Sequence, residues 1–229
     1  ENGIDHEKVA YCITDLEHNI KYSMNEKDEF IAASIYKLPL AMLYYDKVNE
    51  GEYTLDSTFT YSGYMHEDAG VISSDYGIGS QVPLSDLLND LIIYSDNDAG
   101  HILYENLGGW KEYKEAMTKY TDSISENYYT MDNVTTANTM NDVVTYLYDH
   151  KEDYKGLIKN MEKAEPGEYL DRDTQLSMPQ KYGMYDYALN SVGFVECNTS
   201  YSIVVLTSLG DKGADVMANI NRIAYEHFK

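Results

Sequence analysis

The sequence predicts an α/β protein of the α+β type, in which an antiparallel sheet made from both ends of the chain is flanked by helices and an all-helical domain is inserted between them. Three observations predict it. Beta-rich segments lie near both termini, short helical patterns fill the middle, and no internal repeat, low-complexity tract or long linker interrupts the plan. The implied boundaries are 1–30 with 168–229 for the sheet and 31–167 for the helical part, with a site at their junction. At 229 residues the chain can bury a substantial core.

Taken in order, residues 8–16 (KVAYCITDL) alternate and are beta-rich, and residues 19–25 (NIKYSMN) follow after a short turn, as in a hairpin. Residues 30–43 (FIAASIYKLPLAML) read as a helix: Ile35, Leu38, Met42 and Tyr45 recur at helical spacing, and Pro39 is tolerable near its start. Helical patterns recur over residues 83–93, 99–107, 111–120 and 139–150, separated by pieces containing glycine, serine or aspartate. Residues 191–209 (SVGFVECNTSYSIVVLTSL) give two strands parted by Asn198 and Thr199, and the apolar run of the second predicts a central strand. Residues 213–228 (GADVMANINRIAYEHF) form a closing helix with Val216, Ile220, Ile223 and His227 on one face.

Composition excludes several functions. The 17 basic and 39 acidic residues give a formal charge of −22, and Arg172 and Arg222 are the chain's two arginines, so a phosphate backbone is repelled. No apolar run approaches the roughly 20 residues of a membrane span. The chain opens with Glu1 and Asn2 rather than Met, as in a mature form whose targeting segment has been removed. Cys12 and Cys197 are far apart in strand-like stretches and are expected to be free thiols. The six histidines show no metal-ligand spacing, so neither a metal nor another cofactor is expected. The 24 tyrosines suit half-buried positions and indicate no function.

The first helix raises a chemical question, because it carries Lys37 three positions after Ser34 inside an apolar stretch. One reading is a snorkelling lysine whose stem covers the core. In the other, residues three apart share a helix face, and a lysine short of water favours its neutral form and accepts a proton from the hydroxyl. Ser-x-x-Lys is expected about once by chance in such a chain, so alone it decides nothing. Sixty-one residues after Ser34 come Ser95, Asp96 and Asn97, between two helical patterns, where an N-cap role and a chemical one are compatible. Lys181, Tyr182 and Gly183 precede the C-terminal strands, and a glycine there permits close approach of a ligand to the backbone.

In order, Ser-x-x-Lys, Ser-Asp-Asn and Lys-x-Gly match the motif set of class A beta-lactamases and penicillin-binding proteins, and nearly the whole chain resembles that superfamily. FIAASIYKLPL resembles its nucleophile helix, GSQVPLSDLLNDLIIYSDNDAGHILYENLGG its Ser-Asp-Asn loop with flanking helices, and NVTTANTMNDVVTYL the segment usually carrying Thr-Thr-Pro. The resemblance implies that Ser34 attacks a lactam or peptide carbonyl while Lys37 takes or relays its proton. It implies that Ser95 passes a proton to the leaving nitrogen, and that Asn97 binds the substrate's side-chain amide. Lys181 supplies positive potential toward the substrate carboxylate, Tyr182, Gly183 and Met184 border the substrate, and the backbone amides of Ser34 and Met184 form the oxyanion hole.

Two departures qualify the likeness. The Glu-x-x-Leu-Asn segment that activates the deacylating water is missing from residues 110–136, where Asp122, Glu126 and Asp132 are the nearby carboxylates. Tyr182 replaces a small hydroxyl residue, so its ring either narrows the cleft or points away; Arg172 either folds toward the site or lies on the surface. The implied function is a beta-lactamase-type serine hydrolase acylated at Ser34 by a small-molecule beta-lactam. The alternatives are a penicillin-binding or D,D-peptidase-like protein that deacylates slowly, and a module that binds cell-wall peptide without chemistry. The protein is expected to be a monomer outside the cell or at its envelope, with no nucleic-acid partner and no transmembrane segment in this chain.

Overall fold

The computed structural model describes residues 4–229 apart from 64, 67–69 and 175. The chain opens with a hairpin of β1 (Val9–Asp15) and β2 (Ile20–Met24), which Asn19 turns with a φ of 55°. There follow β3 (Phe30–Ile31), α1 (Lys37–Asn49), β4 (Thr58–Thr60), α2 (Val71–Asp75), β5 (Gln81–Pro83) and α3 (Leu84–Ile93). Next come α4 (Asn97–Asn106), α5 (Trp110–Met117), β6 (Val134–Thr135), α6 (Ala137–Asp149) and α7 (Lys155–Met161). The chain ends with β7 (Gln180–Tyr185), β8 (Ala188–Val195), β9 (Tyr201–Thr207) and α8 (Lys212–Phe228).

Both ends of the chain build one antiparallel sheet in the order β2-β1-β9-β8-β7. The predicted α+β arrangement is therefore present, and β9 is the middle strand with every residue buried. An unbroken apolar run fits that place, since both of its faces are covered. On one face α8 packs over Ile203, Val205 and Leu189; the other face is continuous with the core of the helical layer. There α6 crosses the sheet, held by Asn141, whose Oδ1 accepts from Thr14 Oγ1 at 3.1 Å and Ser202 Oγ at 2.8 Å. Among the described residues, no helix is long and apolar enough to cross a membrane.

Two expectations need correction. The closing helix turns Gly213, Met217, Ala218, Asn221, Ala224 and Phe228 inward, whereas Ile223 on the expected face is 61% exposed. Small residues bring this side closest to the sheet: a Cβ on Gly213 would stand 2.3 Å from Thr207 Oγ1. The polar Asn221 is inside because it accepts from Tyr201 Oη at 2.7 Å and donates to Leu170 O at 2.7 Å. Secondly, residues 30–43 are not one helix, because β3 and a 3-10 turn over Ala33–Tyr36 precede α1. Residues 37–44 are all buried, so α1 is enclosed by its neighbours rather than laid on a surface.

Candidate active site

Ser34 sits in the 3-10 turn, where residues three apart eclipse one another, so Ser34 and Lys37 share a side more closely than an α-helix would give. This turn is firmly held. Ala33 adopts a φ of 50°, a conformation costly for a residue with a Cβ. Asn133 donates from Nδ2 to Ala33 O at 2.9 Å, and its own carbonyl accepts from Ala32 N at 2.8 Å. Asn190, buried in β8, donates to Ile31 O at 2.8 Å and Ala32 O at 3.0 Å while accepting from Thr207 N at 3.0 Å. β7 closes against the same turn: a Cβ on Gly183 would stand 2.6 Å from Ser34 N and 2.8 Å from Ile35 N. Only glycine permits that approach, and Met184, the residue after it, lines the cleft with Ser34.

Lys37 is wholly buried. Its Nζ donates to Asn97 Oδ1 at 2.6 Å and to Ser95 O at 2.5 Å, and lies 3.4 Å from Ser95 Oγ. The bond to Lys37 fixes the Asn97 side chain at the wall of the cavity that holds Ser34. Ser95 holds a φ of 58°, and Asp96 between it and Asn97 caps α4, accepting from Ala99 N at 2.8 Å and Ile72 N at 3.1 Å. The cap thus fixes the loop that presents its two neighbours. On α4, Gly100 makes room for Tyr36, whose hydroxyl would stand 2.7 Å from a Cβ there, while Lys37 Cε would be in ordinary contact at 3.4 Å.

Lys181, on β7, is also wholly buried. Its Nζ donates to Tyr182 O at 2.8 Å and lies 4.1 Å from the centre of the Tyr182 ring. Burial first, and then the positive charge of Lys37, hold its ammonium well below the usual lysine range, with Glu165 opposing. Tyr182 stacks on Tyr169 with centroids 5.0 Å apart and planes 22° from parallel. Tyr182 does not line the cavity that holds Ser34; its ring lies over Lys181 and against Tyr169.

Ser34 opens into a cavity of about 540 Å³ whose walls include Asn97, Met131, Asn133, Met184 and Tyr185. Asp132 also lines it, whereas Glu126 lines a separate polar cleft behind the loop and Asp122 is exposed. The loop carrying Asp132 is clipped from behind. Buried Lys114 donates to Tyr128 O at 2.6 Å and Met131 O at 2.5 Å, and Trp110 Nε1 donates to Asp132 O at 3.0 Å. Arg172 pairs with Asp173 and Asp215 away from these groups. Cys12 and Cys197 are free thiols, and among the described residues no three metal-ligating side chains gather.

The structure therefore brings Ser34, Lys37, Ser95 and Asn97 to one place and Lys181 to Met184 alongside. Asn133, Asn190, Gly100 and Lys114 had not been singled out from the sequence. For Asn190 a signal existed, since an asparagine inside the run ALNSVGFV is foreign to a strand unless its amide is used. A sequence model of the beta-lactamase enzyme family matches residues 4–228. Among solved structures, a beta-lactamase from Chitinophaga pinensis superposes with a TM-score of 0.81 at 21% identity, over 96% of this chain and 94% of that one. A beta-lactamase from Sphaerobacter thermophilus gives 0.81 at 21% identity, over 96% and 91%. A PBP-A mutant, solved as its acyl-enzyme complex with penicillin G, gives 0.83 at 18% identity, over 96% and 89%. At such identities the likeness to these structures is one of fold.

Proposed function

The chain belongs to the beta-lactamase enzyme family, and on that premise we propose that it is a serine hydrolase acylated at Ser34 by beta-lactams or acyl-D-amino acid peptides of the cell wall. The observation that carries this reading is the bonding of buried Lys37 to both Ser95 and Asn97 beside the cavity into which Ser34 opens. Ser34 Oγ forms a bond to the substrate's carbonyl carbon, the carbonyl electron pair moves to oxygen, and Lys37 takes the hydroxyl proton. The oxyanion lies toward the main-chain N–H groups of Ser34 and Met184. As the carbonyl re-forms, the carbon–nitrogen bond breaks and Ser95 delivers a proton to the departing nitrogen, replaced through Lys37.

Release of the acyl group is the slow step in this reading. Among the described residues, Asp132 is the one carboxylate lining the cavity, and it stands at the exposed rim of a clipped loop. Such acyl donors place the protein's work outside the cytoplasm or at the envelope. The test is intact-protein mass spectrometry through time after adding a penicillin, with Ser34→Ala as control. A Ser34-dependent adduct that persists for many minutes is expected, and an equal adduct on the Ser34→Ala protein would sink the assignment. The Tyr182 ring over Lys181 favours a second reading, a cleft that binds cell-wall fragments without chemistry; it predicts fragment binding with no adduct.

A further inference from the structure

We infer that the stacked pair Tyr182–Tyr169 is a specificity gate over Lys181, and that the leaving-group side of the site takes acyl donors carrying no free carboxylate there, such as amidated or esterified ones. This inference rests on the Ser34 acyl-transfer reading and narrows its substrate class. A cation attracts a substrate carboxylate only where the anion can reach it. Lys181 has no exposed surface, and its ammonium faces the Tyr182 ring at 4.1 Å and the Tyr182 carbonyl at 2.8 Å. A carboxylate reaches it only if Tyr182 leaves Tyr169, with which it stacks at 5.0 Å.

The charges beside the stack do not favour a bound anion. Glu165 acts electrostatically on Lys181, Tyr182 and Tyr169, so negative charge already stands at this side. Both arginines are engaged elsewhere, Arg172 with Asp173 and Asp215, and Arg222 with Asn219. The open volume at Ser34 is walled by residues that include Met131 and Met184, and none of Lys181, Tyr182 and Tyr169 lines it. A neutral leaving group meets flat tyrosine surface at no electrostatic cost, whereas a carboxylate loses its water there and gains no exposed cation.

The experiment measures the rate of Ser34 adduct formation by intact-protein mass spectrometry with benzylpenicillin and with its methyl ester, which differ in that charge and one methyl group. It uses the wild type, Tyr182→Thr and Tyr182→Phe. The acid-to-ester rate ratio within each protein cancels any general loss from misfolding. The expected ratio is below one for wild type, at least tenfold higher for Tyr182→Thr, and unchanged for Tyr182→Phe, which keeps the ring. A wild-type ratio above ten, a ratio that Tyr182→Thr leaves unmoved, or one that Tyr182→Phe shifts as far as Tyr182→Thr would overturn the gate. Adducts with the wrong ratios sink this inference alone. No adduct with either compound in any of the three proteins sinks the Ser34 reading, and the gate with it.

Discussion

Gly183 faces the main-chain nitrogen of Ser34 so closely that a Cβ on it would stand 2.6 Å away, with Ala32 O at 3.0 Å. All of these obstacles are backbone, so none can rotate aside. Gly183→Ala must therefore push β7 off the nucleophile turn and spoil the two N–H groups proposed to receive the oxyanion. Loss of one such donor costs about 100- to 1,000-fold in rate. The expected result is acylation by a penicillin slowed about 100-fold or more, with circular dichroism unchanged. Wild-type acylation by this variant would show that β7 is not a wall of the reacting site.

The Lys37 amine is bonded to two residues of one loop, Ser95 and Asn97, 58 and 60 residues away. If it is the proton acceptor, Lys37→Ala should slow acylation by about 100- to 10,000-fold, the range for loss of a general base. Lys37→Arg should not rescue it. The lysine has no exposed surface, and its amine is already bonded to Ser95 and Asn97, so a bulkier guanidinium that cannot give up its proton has neither the room nor the chemistry. Single-turnover acylation across neutral pH checks this, and a Lys37→Arg protein as active as wild type would remove proton transfer from the role of Lys37.

The parts legible in the sequence were those with period or motif. The strand alternation of residues 8–16 became β1, and the unbroken apolar run of residues 201–207 became the middle strand. Ser34, Lys37, Ser95, Asn97 and Lys181 were legible through three short motifs that, taken in order, resemble a known superfamily; no one of the spacings carries them alone. What stayed hidden is contact between distant segments. Asn133 lies 100 residues from the Ala33 carbonyl it binds, and Asn190 lies 158 from Ala32. The orientation of Tyr182 was equally hidden, since it depends on Tyr169 meeting its ring. The inward face of α8 was hidden because bulk apolarity points to Ile223, whereas close packing on the sheet selects glycine and alanine.

Asn190 serves two carbonyls with its amide nitrogen and one main-chain N–H with its oxygen, all at the base of the nucleophile turn. Asn190→Ala removes three hydrogen bonds and leaves Ala32 O with Ile35 N at 3.4 Å, and a buried polar group left unpaired costs about 1–3 kcal/mol. In a chain of this size that lowers the melting temperature by several degrees, at about 2–4 °C per kcal/mol. Asn133→Ala removes one bond from a half-buried position and should cost less. Thermal unfolding of both variants checks the order. Equal losses would show that the Asn190 network adds nothing beyond a single bond.

Asp90 lies in α3 just before the Ser95–Asn97 loop, and its main-chain oxygen accepts from Asp96 N at 3.0 Å. Burial, reinforced by the charges of Asp96, Asp86 and Asp75, pushes its carboxyl up from 3.8 to about 7. The sign of the consequence follows from proton counting. Between about pH 4 and 7 the folded protein keeps a proton that the unfolded chain has released, so stability from this group falls as pH rises through that window and is level above it. Asp90→Asn removes the charge but keeps the shape, and should match wild type near pH 4 and exceed it at pH 8 by an amount on the order of a few kcal/mol. The paired melting temperatures at the two pH values are the measurement. A difference between variant and wild type that is equal at both would mean that Asp90 ionises in the folded protein as readily as in the unfolded one.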